Sequence, residues 1–203
     1  MRHNQPHIPL CVPRWDEQAA LNLGARYDKA RGFHLTADDF LDDFWDWLPL
    51  RWKYPDKPAL LPGMLPVTTF ENNVRTRLPA ERWDRLRRHV YAAAGHRCEA
   101  CGADGDPHIE CHEDWAFIEA TGIQRLVRLI ALCPLCHKAF HLGFAGRLGI
   151  RDQVLAHIRA INGWDAATLT GAITQAEADW ARRSARSWTL DLSWLDNTGF
   201  RHI

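Results

Sequence analysis

The sequence has no excess of charge of either sign: 25 Lys and Arg residues balance 25 Asp and Glu residues, for a formal net charge of zero over 203 residues. A whole-surface attraction to nucleic acid or to an anionic membrane is thereby excluded, and any such binding has to come from a local patch. No apolar stretch reaches the length of a membrane span, and the start of the chain, 1–7, lacks the apolar segment of a signal peptide, so a cytosolic protein that does not engage membranes is expected. Internal repeats and collagen-like or disordered bias are missing as well. In a reducing compartment the six cysteines are read as metal ligands rather than disulfides, with Cys11 and Cys111 to spare. What the chain does have is 46% hydrophobic residues and ten tryptophans, enough for a sizeable core.

Two Cys-x-x-Cys knuckles, Cys98-Glu99-Ala100-Cys101 and Cys133-Pro134-Leu135-Cys136, flank the stretch 102–132. Each knuckle folds two sulfurs into one tight turn and supplies half of a tetrahedron, so the pair predicts a closed four-thiolate zinc site of structural type. The interval is longer than a minimal zinc ribbon and must hold structure of its own. Residues 107–115 and 125–132 read as two strands, with Thr121-Gly122 as turn chemistry before the second. A helix starting within the second knuckle places His137 and His141 at i and i+4 on one face, where both can ligate one ion.

The knuckles with the two helix histidines resemble the zinc-stapled branch of the HNH nucleases, whose ββα-metal core sets a first-strand histidine opposite histidines on the helix. The resemblance covers about residues 70 to 203 and extends to the lead-in at 66–75 and the tail at 180–192. It implies His112 as the general base, and His137 and His141 as ligands of a catalytic divalent ion (magnesium, manganese, nickel or zinc) in the hydrolysis of DNA phosphodiesters. Glu113 or Glu110 is available to orient the base or to add a ligand. Where the family has a metal-binding Asp or His before the base this chain has Cys111, which suits a soft ion better than magnesium. The stretch that should carry the base-orienting Asn holds Arg128 and Gln124 instead. The alternative is a non-catalytic interaction module that keeps only its structural zinc. A rival chemistry is that of the zinc nucleobase deaminases, which carry His-x-Glu and Pro-Cys-x-x-Cys. Here His108-Ile109-Glu110 precedes the second knuckle, but the proline lies inside it, and Cys98, Cys101, His137 and His141 are left without a role.

A local basic patch does exist. Arg75, Arg77, Arg82, Arg85, Arg87, Arg88 and Arg97 stand against Glu81 and Asp84 just before the first knuckle; of these, Arg75, Arg77, Arg87 and Arg88 are the candidate DNA contacts, the latter two on a helix expected over 80–94. No small-molecule cofactor signature is present.

The chain begins with a different module: a short helix over 15–23 closed by Gly24, then a hairpin over 26–35. Val12-Pro13, Gly24-Ala25-Arg26-Tyr27-Asp28 and Gly32-Phe33 resemble a small domain of unknown function found beside plasmid primases and other mobile-element proteins, which implies a DNA-handling neighbourhood and no catalytic residue. Thr36 and Asp39 predict a capped helix over 36–48 whose aspartates, 38 to 46, offer an acidic face to a protein partner. The expected organisation is α+β: a helix-and-hairpin domain at 8–48, a proline-punctuated linker at 49–69, a ββα zinc domain with its lead-in helix at 70–146, and a C-terminal helical hairpin at 147–203, with helices at 150–161 and 166–187.

Overall fold

The described residues of the computed structural model, 7–36, 38–53, 58–104 and 108–197, form two small three-stranded sheets with helices packed around them, an α+β protein. The chain start at 1–6, linker residues 54–57, Pro107 of the expected first strand and the tail at 198–203 lie outside the described residues. Among the described residues no helix is long and apolar enough to cross a membrane.

Near the start, strand β1 (Ile8–Pro9), helix α1 (Glu17–Asn22), and strands β2 (Arg26–Asp28) and β3 (Gly32–Leu35) make one unit, with the antiparallel strands in the order β1-β3-β2. Gly24 takes φ +104 after α1, the left-handed exit that the sequence signals. The Asp28 carboxylate accepts the amides of Ala30 and Arg31 at 2.9 and 2.8 Å and closes the hairpin turn. Ile8, Leu10, Val12, Ala20, Phe33, Leu35, Phe44 and Leu48 bury themselves in a cluster of their own.

The helix expected over 36–48 is a 3-10 turn over Leu41–Trp47 instead. Thr36 and Asp39 do pair, through the amide at 2.6 Å and the hydroxyl at 2.9 Å, but they close a local turn. Aspartates at 38/42, 39/43 and 42/46 would repel across an α-helix, whereas Leu41, Phe44 and Trp47 recur every third residue and align on a 3-10 turn. Phe40, just before this turn, is 81% exposed.

The proline-punctuated stretch at 49–69 holds helix α2 (Leu50–Lys53) and a 3-10 turn at Val67–Thr69. Its Leu60 is fully buried in the main core. Helix α3 (Val74–Arg77) is capped by Asn73, whose side chain accepts from the Thr76 amide, and α4 (Ala80–Ala93) follows Pro79 and buries Leu86 and Val90.

Strands β4 (Glu110–Ile118) and β5 (Ile123–Leu132) pair antiparallel with His112 opposite Ile130, and a register shift falls between Asp114 and Trp115. Helices α5 (Pro134–Phe140), α6 (Leu142–Arg147), α7 (Arg151–Asn162) and α8 (Ala166–Ser184) follow. Helix α8 stops three residues short of the expected end, and Thr189–Asp191 forms strand β6, parallel to β5, before helix α9 (Ser193–Asn197). Strand β6 lies on the far side of β5 and pairs with its start, Ile123 to Arg125, while the apolar run from Leu129 to Leu132 at the other end of β5 is buried in the main core. The chain turns because Trp188 is buried against Phe117, ring centroids 4.9 Å apart, and donates its indole N–H to the Arg183 carbonyl at 2.9 Å.

Candidate metal centre

Both knuckles form as the spacing demands. In the first, the Gly102 amide bonds the Cys98 carbonyl at 2.8 Å and the Cys98 amide the Ala103 carbonyl at 2.9 Å. Gly102 sits at φ +76, the left-handed region that favours glycine; a Cβ there would meet only the end of the flexible Arg51 side chain, which can move aside. In the second, Cys133 caps α5 and Pro134 opens it, turning Cys136 inward.

Sγ atoms of Cys98, Cys101, Cys133 and Cys136 all lie within 4.8 Å of one another. The Cys101 and Cys133 sulfurs are 3.8 Å apart, and the corners of a tetrahedron with Zn–S bonds of ~2.3 Å are ~3.8 Å apart. The cluster fits a structural metal such as zinc. Crowding four sulfurs couples their protons: the contact with Cys133 holds the Cys101 thiol far below the usual range, and the same contact raises that of Cys133. Cys136 also meets His157 of α7, Sγ to Nε2 at 3.2 Å. That partner was missed from sequence, although His157 stands beside the buried Val154–Ile158 stripe of α7.

A second cluster is built from His112, His137 and His141, whose ring nitrogens also lie within 4.8 Å of one another. The Nε2 atoms of His137 and His141 face each other at 3.1 Å, close to the ~3.3 Å that two imidazoles on one tetrahedral zinc adopt. His112 is brought in from β4, stacked on Phe140 at 4.5 Å, its ring centroid 5.2 Å from each of the other two. Burial first, and then its two histidine neighbours, hold His112 well below the ordinary imidazole range, so it presents a neutral lone pair. Burial likewise takes His141 down to about 3.

Glu110 completes the cluster. Its carboxylate meets His137 Nδ1 in a short contact, leaving Nε2 aimed at the other imidazoles, and Lys138 Nζ approaches the same carboxylate at 3.0 Å. The His137 contact, followed by Lys138, lowers Glu110 to about 2. The carboxylate serving this centre is therefore Glu110, acting on a helix histidine, and not Glu113 acting on His112. Glu113 is bound elsewhere, accepting the Arg75 amide at 3.2 Å, and burial raises it to about 7.

Arg128 and Gln124, the two stand-ins for the base-orienting Asn, are both taken up away from the histidines. Arg128 approaches Glu99 at 3.2 Å and donates to the Leu48 carbonyl at 3.2 Å, and Gln124 donates to the Asn72 carbonyl at 3.1 Å. Cys111 joins neither cluster; burial raises its thiol pKa. His108 is exposed and absent from both clusters, so the deaminase arrangement does not form.

The basic patch is partly self-neutralised. Arg87 and Arg88 share Asp84, at 2.8 and 3.7 Å, and Arg77 donates to Asn72 at 2.7 Å; the Arg75 side chain is exposed. In the acidic segment, Asp39 pairs with Arg26. Beside His137 and His141 opens a cleft of about 660 Å³, lined by Met64, Leu65, Phe70, Lys138, Gly143, Phe144, Arg147 and Trp180.

Compared with known proteins, the chain gives no match to a family model, a curated protein or a solved structure.

Proposed function

We propose that this protein is a metal-dependent phosphodiesterase of HNH type acting on DNA. The observation that carries this reading is the convergence of His112, His137 and His141 on one point, with Glu110 behind His137, on a strand-strand-helix unit stapled by four cysteines. Three imidazoles are the ligand set of a cation site with an open position. A divalent cation held there supplies stabilisation of the charge that develops on a phosphodiester oxygen. Glu110 fixes the ring and tautomer of His137, and Phe140 fixes the plane of His112. On this reading His112 is a ligand rather than the base.

The second reading, a zinc-stapled interaction module without turnover, draws on the engagement of Arg128 with the Leu48 carbonyl and of Gln124 with the Asn72 carbonyl, so that neither stands in for the family's Asn. The test is cleavage of supercoiled plasmid and labelled oligonucleotides with magnesium, manganese, nickel or zinc. Metal-dependent cleavage lost in His141→Ala, with melting unchanged, establishes the phosphodiesterase; no cleavage by the parent with any metal establishes the module. DNA binding is tested separately. Arg87→Glu with Arg88→Glu weakens salt-dependent duplex binding if the patch contacts phosphates, and leaves it unchanged if Asp84 has consumed those charges.

A further inference from the structure

The cleft beside the histidines names the form of the substrate. We propose, building on the phosphodiesterase reading, that the strand at this centre is single-stranded DNA, with an unstacked base seated between Phe70, Phe144 and Trp180 and its phosphates toward Arg147 and the histidines.

Phe70 and Phe144 are 53% and 44% exposed, large aromatic surfaces left uncovered beside a polar centre. They come from different parts of the chain, Phe70 following the 3-10 turn at Val67–Thr69, Phe144 in α6, and Trp180 in α8. The wall is set in advance: the Val67 amide bonds the Ser184 hydroxyl at 3.1 Å and the Thr68 hydroxyl the Arg186 carbonyl at 2.9 Å, which ties the Phe70 turn to the end of α8. Arg147 lies 5.6 Å from the Phe144 ring and places a cation at the rim. Aromatic faces flanked by cations are how proteins hold single strands, because every unpaired base offers a π face and every linkage a negative charge. In a duplex both faces of each base are already covered by stacking. At about 660 Å³ the cleft also suits one or two nucleotides, not a double helix.

A second feature makes the inference testable without disturbing the fold. Gly143 lines the cleft and a Cβ there meets nothing within 4 Å; Gly146, one turn on in the same helix and outside the lining, is equally open. Gly143→Leu therefore fills the cleft, and Gly146→Leu makes the same chemical change off it.

Binding of a fluorescein-labelled phosphorothioate octathymidylate to the zinc-loaded full chain is measured by anisotropy, with a blunt duplex of similar length as competitor. The octathymidylate is expected to bind at least ten-fold more tightly than the duplex. Gly143→Leu and Phe144→Ala should each weaken it about ten-fold, while Gly146→Leu matches the parent. Equal or tighter duplex binding overturns the inference, as does Gly143→Leu binding like the parent with its melting intact. Cleavage of duplex but not of single strands sinks the strand preference and leaves the phosphodiesterase reading standing. Single-strand binding abolished by Gly143→Leu, with no cleavage under any metal, does the reverse.

Discussion

Asn162 and Leu60, 102 positions apart, exchange two hydrogen bonds: the Asn162 Oδ1 accepts the Leu60 amide at 3.2 Å and its Nδ2 donates to the Leu60 carbonyl at 2.6 Å. A side-chain amide at the end of α7 thereby takes both backbone groups of a residue in the proline-punctuated stretch. The Gly63 amide and carbonyl are likewise held, by the Ala139 carbonyl at 2.8 Å and the Leu142 amide at 3.0 Å. This stretch is a strap over α5, which carries His137, and over its exit at His141. Leu60→Ala is expected to cost about 2–5 kcal/mol by cavity formation, and Asn162→Ala about 1–3 kcal/mol from the buried backbone groups it leaves unpaired, both read from urea unfolding. Losses under 0.5 kcal/mol for both would show that the strap is a free linker.

One tightly held zinc ion per chain is expected in the four-cysteine cluster. Elemental analysis after exhaustive dialysis should find it, and Cys98→Ser should lose it and unfold at markedly lower temperature, because the free energy of a structural zinc site is folding free energy. Chelation should reproduce the destabilisation in the parent.

A second, weaker divalent site is expected at the histidines. Calorimetric titration of protein whose cysteine site is already filled should show it, and His141→Ala should abolish it. Glu110→Gln should weaken it about 10–100-fold without removing it, since Glu110 holds His137 and need not touch the ion. An unchanged affinity in Glu110→Gln would mean that the carboxylate serves Lys138 alone.

Lys53 gives a pH signature. Burial, with Arg128 as the next cause, lowers its ammonium from 10.5 to about 8. Between those values the unfolded chain holds a proton that the folded chain has released, so stability rises with pH across the window, by an amount on the order of 3 kcal/mol, and the penalty persists in full below pH 8. Urea unfolding at pH 7.5, 9 and 10.5 should show this rise in the parent and lose it in Lys53→Met; parallel curves would place Lys53 in water.

Much of the metal chemistry could be read directly from residue spacing. Cys-x-x-Cys fixes a turn, and although α5 ends at Phe140 and His141 takes φ −124, ψ 47 just past it rather than a helical place, the short separation still brings His137 and His141 together. The hairpin at 26–35 and the helix over 80–94 were equally readable, because Asp28, Pro79 and Gly95 act on their immediate neighbours. The segment at 36–48 was misread because a capping pair counts the same whether a helix or one turn follows, and the repulsion among its aspartates decided the outcome.

Sequence by itself determined the two half-sites that the knuckles supply, the closeness of His137 and His141 and the α+β composition, since these depend on contacts within one turn or one hairpin. Only the tertiary structure decided which carboxylate serves the centre, whether His112 joins it, and where Arg128 and Gln124 go. A strand residue has neighbours on both faces and across both edges, and its partner is chosen by packing over long sequence separations: Glu110 reaches His137 across 27 residues, and Arg128 reaches Leu48 across 80. Strand β6 follows the same logic, for three residues carry too little local preference to declare a strand, and Thr189–Asp191 becomes one because β5 offers an open edge and Trp188 has a pocket to fill.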